Sequence, residues 1–146
     1  MRTALSLIVL EQRGIARPLD LAGRTFLAVA RQNIKVLLIS QSSSDGNICF
    51  VIPREDTQSL VSALDGDLKS DPARREQICL RVVEDVMLLT AANHAQSALT
   101  SAATMCRALA EQAVNILVVT QGAASISLVI EASNAARAID AINRLS

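Results

Sequence analysis

The stretch NIKVLLISQSSSDGNICFVI, residues 33–52, returns later in the chain as VNILVVTQGAASISLVI, residues 114–130. Each copy is an apolar strand, a glutamine that opens a small polar turn, and a second apolar strand. Gln41 and Gln121 stand at equivalent points, about 80 residues apart. A period of this length indicates two copies of one structural unit rather than a single larger domain.

The first copy reads as strand, helix, strand, strand, helix, strand, which is the split βαβ or ferredoxin-like arrangement. The first helix is expected to begin at Asp20, with Asp20 or Leu19 as its N-cap. The second helix is expected to turn Leu60, Val61 and Leu64 toward the core. The predicted strands are residues 5–10, 34–40, 47–52 and 78–83, and the predicted helices follow Asp20 and span residues 55–64.

The second copy repeats this order but ends after its last helix. Its predicted elements are a strand from about Asp85, a helix over 97–112, strands over 114–120 and 125–130, and a helix over 133–144. We therefore expect an α+β fold with two units, residues 1–84 and 85–146, the second lacking its last strand. The exposed strand edge should be covered by another segment or chain. The apolar stripe predicted for its first helix is Leu99, Ala102, Ala103, Cys106, Leu109 and Ala110.

Composition excludes several classes of function. Fourteen Lys and Arg balance fourteen Asp and Glu, and two Phe are the only aromatic residues, which argues against nucleic-acid binding. No apolar run approaches the roughly 20 residues of a membrane span, and the short N-terminal apolar run is read as a strand of a cytoplasmic protein. Three cysteines without CxxC spacing indicate buried thiols. We predict no metal, no cofactor and no catalytic residues.

The chain resembles the tandem ACT regulatory domains of aspartate kinases. The pattern is nearest to that of the threonine-sensitive bifunctional aspartokinase–homoserine dehydrogenases. The resemblance is carried by RTFLAVARQNIKVLLISQSSSDGNICFVI, residues 24–52, and by ALAEQAVNILVVTQGAASISLVI, residues 108–130. It implies two ACT units packed side by side that bind threonine or lysine as a feedback inhibitor. It also implies an aspartate kinase catalytic domain or subunit as partner, and a homodimer.

Candidate effector-binding residues follow from the chemistry of a free amino acid. The start of the first helix, at Asp20, Leu21 and Ala22, offers backbone N–H groups for a carboxylate. Gln41 and Gln121 can each bind an ammonium or a hydroxyl group. Asn115 is added by the resemblance, since it matches an asparagine that contacts the effector in related kinases.

Some residues depart from the family pattern. The family usually has glycine where this chain has Asp20 and Thr100, and Leu37 stands where lysine-sensitive relatives can have an aspartate. The latter favours threonine as the effector. The alternative is an ACT repeat without effector that serves as a dimerisation or kinase-docking module. In that case Gln41 and Gln121 are ordinary turn residues.

Overall fold

The computed structural model describes residues 4–12, 18–41, 47–69, 78–92, 98–122 and 124–145. The chain divides into two compact units, Met1–Glu84 and Asp85–Ser146. Within the described ranges, no helix combines the length and apolar character that a membrane crossing requires.

The first unit has the predicted order of strands and helices. Its sheet has the strand order β2-β3-β1-β4, in which β3 pairs antiparallel with both β2 and β1. This order places sequence neighbours β2 and β3 side by side and carries α1 and α2 over one face, as in a ferredoxin-like fold. The elements are β1 (Leu5–Gln12), α1 (Pro18–Arg31), β2 (Leu38–Gln41), β3 (Ile48–Pro53), a 3-10 turn (Arg54–Asp56), α2 (Thr57–Lys69) and β4 (Ile78–Ala92).

The helix-facing side of this sheet carries the core of the first unit. Phe50 is fully buried, and the Phe26 ring of α1 meets it edge-on with centroids 6.0 Å apart. Leu60 and Leu64 of α2 are buried in the same cluster and Val61 packs against it, as predicted from helical spacing. Burial of each such side chain stabilises the fold by about 1.5–3 kcal/mol. The buried members are Ile8, Leu10, Val29, Ile48, Phe50, Ile52, Leu60, Leu64 and Ile78.

The second unit repeats this plan with smaller side chains. Its described strands have the order β4-β6-β5, and β6 pairs antiparallel with both neighbours. Its last helix buries Ala138 and Ala141, whereas α2 of the first unit buries two leucines. Ile139 is therefore left 42% exposed instead of facing the core as Val61 does. The further elements are α3 (Ala98–Glu111), β5 (Ile116–Gln121), β6 (Ser125–Glu131), a 3-10 turn (Ala132–Asn134) and α4 (Ala135–Asn143).

The strand β4 corrects the prediction at the boundary between the units. The sequence suggested two strands, over 78–83 and from about Asp85, but the structure has one continuous strand, Ile78–Ala92. Asp85 lies inside it with a left-handed φ of 58°. A single residue in this conformation twists a strand locally without ending it. The sequence pattern shows charged residues at this point but not that the strand continues through them, so it indicated two strands.

Helix α1 and strand β2 begin at residues other than the predicted ones. Helix α1 begins at Pro18, so Asp20 is the third helical residue and neither Asp20 nor Leu19 is the N-cap. Proline suits this first position because it has no N–H to leave unpaired. Strand β2 begins only at Leu38, because Ile34 and Val36 pack against the core while the chain returns from the helix layer to the sheet.

Helix α3 is rotated relative to the predicted stripe. Met105 and Leu109 are buried, whereas Ala103 and Ala110 are exposed. The helix has alanines on all sides, so its larger side chains decide which face turns inward. Ala102 packs against the core as predicted.

Candidate functional site

Gln41 and Gln121 occupy the same place in their units. Each is the last residue of its strand, β2 or β5, and each is exposed. Gln41 lies opposite the buried Ile48, and Gln121 lies opposite the buried Ile126. Directly opposed residues point to the same face of a sheet, so both glutamines lie on the helix-facing side. The turn that follows Gln41 is outside the described residues.

The start of α1 lies at the same end of the first unit as Gln41. The register aligns Leu10 of β1, Ile48 of β3 and Gln41 in one row across the sheet. The chain leaves β1 at Gln12 and enters α1 at Pro18. The candidate residues Asp20, Leu21 and Ala22 are the third to fifth residues of α1, and the structure describes their backbone. The first turn of a helix has N–H groups without helical partners, so an anion could be bound at this end.

The second unit has the same arrangement at Gln121. Ala91 of β4, Ile126 and Gln121 form the corresponding row. Thr100 is the third residue of α3, as Asp20 is of α1. Gly122 N donates to the Ser125 carbonyl at 2.8 Å and so helps to close the turn. In the described residues, the two candidate ends therefore share the strand row and the position of the glutamine relative to the first helix.

Asn115 does not join Gln121 within this unit. It is exposed and stands just before β5, while Gln121 is the last residue of that strand. At about 3.3 Å per residue, roughly 20 Å separates them along the strand. Asn115 is a candidate through the resemblance to related kinases and not through its position relative to Gln121.

A row of hydroxyl groups lies next to Gln121 along the strand but on the opposite face of the sheet, and the sequence does not reveal it. Thr120 of β5 lies opposite Ser127 of β6, which lies opposite Thr90 of β4. The oxygens Oγ1 of Thr90 and Oγ of Ser127 are 3.0 Å apart. In the first unit the corresponding row is Ser40, Cys49 and Val9. Strand alternation gives the face of each residue, but only the register across three strands reveals the row.

Cys49 of β3 has a thiol whose pKa is displaced by its surroundings. Burial raises the pKa of its thiol above the usual range, Arg81 opposes this, and Glu11 adds to it. Arg81 and Glu11 form an ion pair with a distance of 2.6 Å from Nη2 to Oε1. A raised pKa keeps the thiol protonated and weakly nucleophilic near neutral pH.

The described residues do not form a metal centre. Among them, no group of three or more His, Cys, Asp and Glu side chains is placed to hold a metal ion. The cysteines Cys49, Cys79 and Cys106 are not joined in disulfides. The described polar groups at the two candidate ends are the amides of Gln41 and Gln121 and the backbone N–H groups at the helix starts.

The strand order and the paired helices define a tandem repeat of two small α+β units, each with a glutamine at the end of an edge strand. The chain belongs to the ACT domain family, whose model matches residues 9–68 and 92–145. As the sequence predicted, the two ACT domains resemble those of aspartate kinases.

Two plant enzymes illustrate this similarity. The chain is 26% identical over 142 residues to chloroplastic bifunctional aspartokinase/homoserine dehydrogenase 1 of Arabidopsis thaliana. The matched region covers 95% of this chain and 16% of that enzyme. It is 29% identical over 143 residues to the chloroplastic bifunctional enzyme of Daucus carota, covering 95% of the chain and 15% of the enzyme. The chain thus spans about a sixth of the length of these curated relatives.

A solved structure shares the fold over nearly its whole length. The regulatory subunit of aspartate kinase from Thermus flavus matches with a TM-score of 0.76 and 22% identity. The match covers 98% of this chain and 93% of that subunit. This similarity shows that the whole fold described here also occurs as a regulatory subunit.

Proposed function

We propose that this chain is the amino-acid-sensing regulatory module of an aspartate kinase and that it binds threonine, or lysine, for feedback inhibition. The observation that carries the proposal is the position of Gln41 and Gln121, each closing an edge strand in the same register in a tandem ACT chain. Each glutamine lies at the end of its unit where the first helix begins. The proposed role is regulatory, with no reaction catalysed by this chain.

The effector's charged groups have suitable partners at these ends. In the first unit, we propose that the effector's carboxylate binds at the start of α1, where the helix dipole favours an anion, and accepts from the backbone N–H of Asp20. Leu21 and Ala22 lie beside it, but their N–H groups are used within the helix. The Gln41 amide would bind the ammonium or the side chain hydroxyl, since it has both donors and an acceptor. Gln121 would act in the same way in the second unit. The hydroxyls of Thr120, Ser127 and Thr90 lie on the opposite face of the sheet and take no part in this site.

Asn115 needs a different role. Because it lies at the other end of β5, within its own unit it would contact a ligand other than the one bound at Gln121. Leu37, just before β2, has no charge to bind the side chain of lysine, and this favours threonine.

Regulation requires the effector to bind two arrangements of the protein with different affinity. We propose that those arrangements differ in the packing of the ACT units, in a homodimer, or against the kinase catalytic domain or subunit. The side-by-side packing of two units stays part of this proposal, as does action in the cytoplasm together with the kinase.

Isothermal titration calorimetry tests the proposal directly. Threonine or lysine at millimolar concentration should release or absorb heat on binding to the chain, and should raise its thermal unfolding midpoint. Methionine and isoleucine serve as comparison ligands from the same biosynthetic family. Absence of heat and of any thermal shift with all four amino acids would refute amino-acid sensing by this chain.

A second candidate function is an ACT repeat without effector that dimerises or docks to a kinase. It is favoured by Ile39 and Val119, which occupy equivalent positions on the edge strands and are 50% and 43% exposed. Co-purification with a kinase whose activity does not respond to threonine or lysine would support this alternative. A response to either amino acid would support sensing.

A further inference from the structure

A groove in the first unit lies at the end of β3 away from Gln41. The 3-10 turn at Arg54–Asp56 and the start of α2 form one wall, β4 forms the other, and the groove holds about 520 Å³. Strand β3 begins at Ile48, beside Gln41, and ends at Pro53. Roughly 17–20 Å of strand therefore separates the groove from the candidate effector end. Its volume is within the range of small-molecule sites.

Opposite charges face each other across this groove. Arg54 Nη2 and Glu84 Oε2 are 3.6 Å apart, and their side chains are 48% and 54% exposed. Charge-assisted hydrogen bonds are usually about 2.7–2.9 Å long, so this ion pair is loose. An exposed pair of this kind contributes little to stability. A ligand with both charges could therefore replace the pair at small cost.

The remaining lining combines apolar and hydrogen-bonding groups with a second carboxylate, that of Glu55. Val61 of α2 is half-buried, and Val82 of β4 is 39% exposed. Gln58 and Ser62 are exposed and stand one helical turn apart, so they lie on the same side of α2. A short apolar side chain would fit against the valines, with amide and hydroxyl groups beside it.

The second unit shows that the fold does not require these polar residues. Its 3-10 turn begins with Ala132 where the first unit has Arg54, and the second residue of its following helix is Ala136 where α2 has Gln58. Both units nevertheless form the same 3-10 turn and helix. The 3-10 turn and the helix after it thus form without an arginine and a glutamine at the positions of Arg54 and Gln58.

We propose that this groove binds a free α-amino acid with a short aliphatic side chain, as a zwitterion. The carboxylate pairs with Arg54, the ammonium pairs with Glu84, and the side chain packs against Val61 and Val82. This is a second amino-acid site in the first unit, separate from the candidate effector site at Gln41. It does not depend on the identity of the effector proposed above.

Nuclear magnetic resonance of the full ¹⁵N-labelled chain tests this site with L-valine as the probe. Valine at millimolar concentration should shift the amide signals of residues 54–62 and 82–84. N-acetyl-L-valine lacks the ammonium and L-valinamide lacks the carboxylate, so each should bind at least about tenfold more weakly. Equal binding of valine and either derivative would overturn the zwitterion assignment.

Variants locate the same binding event. Arg54→Gln and Glu84→Gln should each weaken valine binding at least about tenfold, while Arg107→Gln, an exposed arginine of α3, should leave it unchanged. Gln41→Ala should also leave the groove signals unchanged, which separates this site from the effector site. The proposal fails if Arg54→Gln binds valine normally, or if the shifts occur only near Gln41 and Gln121.

Discussion

The Thr57 Oγ1 hydroxyl donates a hydrogen bond of 2.7 Å to Ser6 Oγ, and both residues are buried where α2 begins above β1. The second unit has apolar residues at both positions. Met87 corresponds to Ser6, because each pairs with an isoleucine that is the next-to-last residue of the neighbouring strand. Ala135 corresponds to Thr57, because Ala135 is the first residue of α4 and Thr57 is the first residue of α2. The buried hydroxyl pair at these two positions is thus present in the first unit and absent from the second.

Removing one hydroxyl of this pair should cost more stability than removing both. Thr57→Val leaves the Ser6 oxygen buried without its donor and should lower the free energy of unfolding by about 1–2 kcal/mol. The double variant Ser6→Ala with Thr57→Val should recover much of that loss. Urea unfolding of the wild type, both single variants and the double variant measures the coupling. Simple additivity of the two single effects would contradict the expectation.

Ala113→Gly should stabilise the protein. Ala113 follows α3 with a left-handed φ of 56°, and Asn33 follows α1 with a φ of 52°. Alanine is strained in this conformation, whereas asparagine tolerates it better and glycine adopts it freely. We expect Ala113→Gly to raise the free energy of unfolding by about 1 kcal/mol. This net value already subtracts the stability lost because glycine gives the unfolded chain more entropy.

The matched change Asn33→Gly should have a smaller effect in the same urea unfolding experiment. An equal gain at both positions would show that strain at Ala113 is not the cause. A loss of stability in Ala113→Gly would show that the entropy of the unfolded chain dominates.

Cys49 should make stability fall at alkaline pH. Burial raises the pKa of its thiol in the folded state, so the folded protein binds this proton more tightly than the unfolded chain does. The resulting stabilisation is complete below the unfolded cysteine pKa of about 8.5 and is lost as the pH rises through the folded pKa. Unfolding between neutral pH and pH about 10 should therefore show a steeper fall for the wild type than for Cys49→Ala.

The rate at which a thiol reagent modifies Cys49 is a second test of the raised thiol pKa. Glu11 raises the pKa of the thiol, so Glu11→Gln should speed modification of Cys49, whereas Arg81→Gln should slow it. Modification is followed by mass spectrometry at constant pH, with Cys79 and Cys106 replaced by alanine. Opposite changes in the two rates would contradict the electrostatic explanation.

Gln41→Ala and Gln121→Ala test the proposed effector sites. If threonine binds at both, each change should remove one hydrogen-bonding partner and weaken binding at its own site by about tenfold or more. Calorimetry of the single and double variants separates the two sites by stoichiometry. Gln32→Ala and Gln112→Ala are matched controls, since these exposed glutamines lie at the other ends of α1 and α3. Weaker binding in the controls but not in the test variants would contradict the assignment.

The exposed edge residue Ile39 should support self-association. Strand edges with apolar side chains favour pairing with another chain, and Ile39 is half-exposed on β2. Ile39→Lys should shift the proposed homodimer toward monomer in sedimentation equilibrium. Leu27→Lys is the control, because Leu27 is 52% exposed on α1 instead of on a strand. A dimer that resists Ile39→Lys and dissociates with Leu27→Lys would place the interface elsewhere.

The sequence predicted the parts of this fold that depend on local patterns. The repeated hairpins, the helices between them and the positions of Gln41 and Gln121 all follow from alternation, turn residues and repetition. Leu60 and Leu64 were assigned to the core because their spacing is helical and their side chains are large. In α3 the same reasoning identified Leu109 but missed Met105, since alanines surround the helix and only packing selects its buried face.

Features that depend on register or on distant segments could not be predicted. The hydroxyl row through Ser127 needs the alignment of three strands. The groove at Arg54 forms only where α2 meets β4, more than twenty residues later in the chain. Asn115 entered the candidate set through the family resemblance, and the length of β5 between Asn115 and Gln121 is a feature of the fold that the resemblance does not show.

The continuous strand β4 has a consequence for how this protein could be divided. The boundary between the compact units falls between Glu84 and Asp85, inside the strand. A fragment that ends or begins there would cut a run of fifteen residues into two short pieces and leave each with a frayed terminus. Recombination that exchanges one ACT unit for another would have to join two halves of a strand at Asp85 and keep the alternation of side chains between the two faces of the sheet. The duplicated units are therefore expected to pass between proteins as a pair.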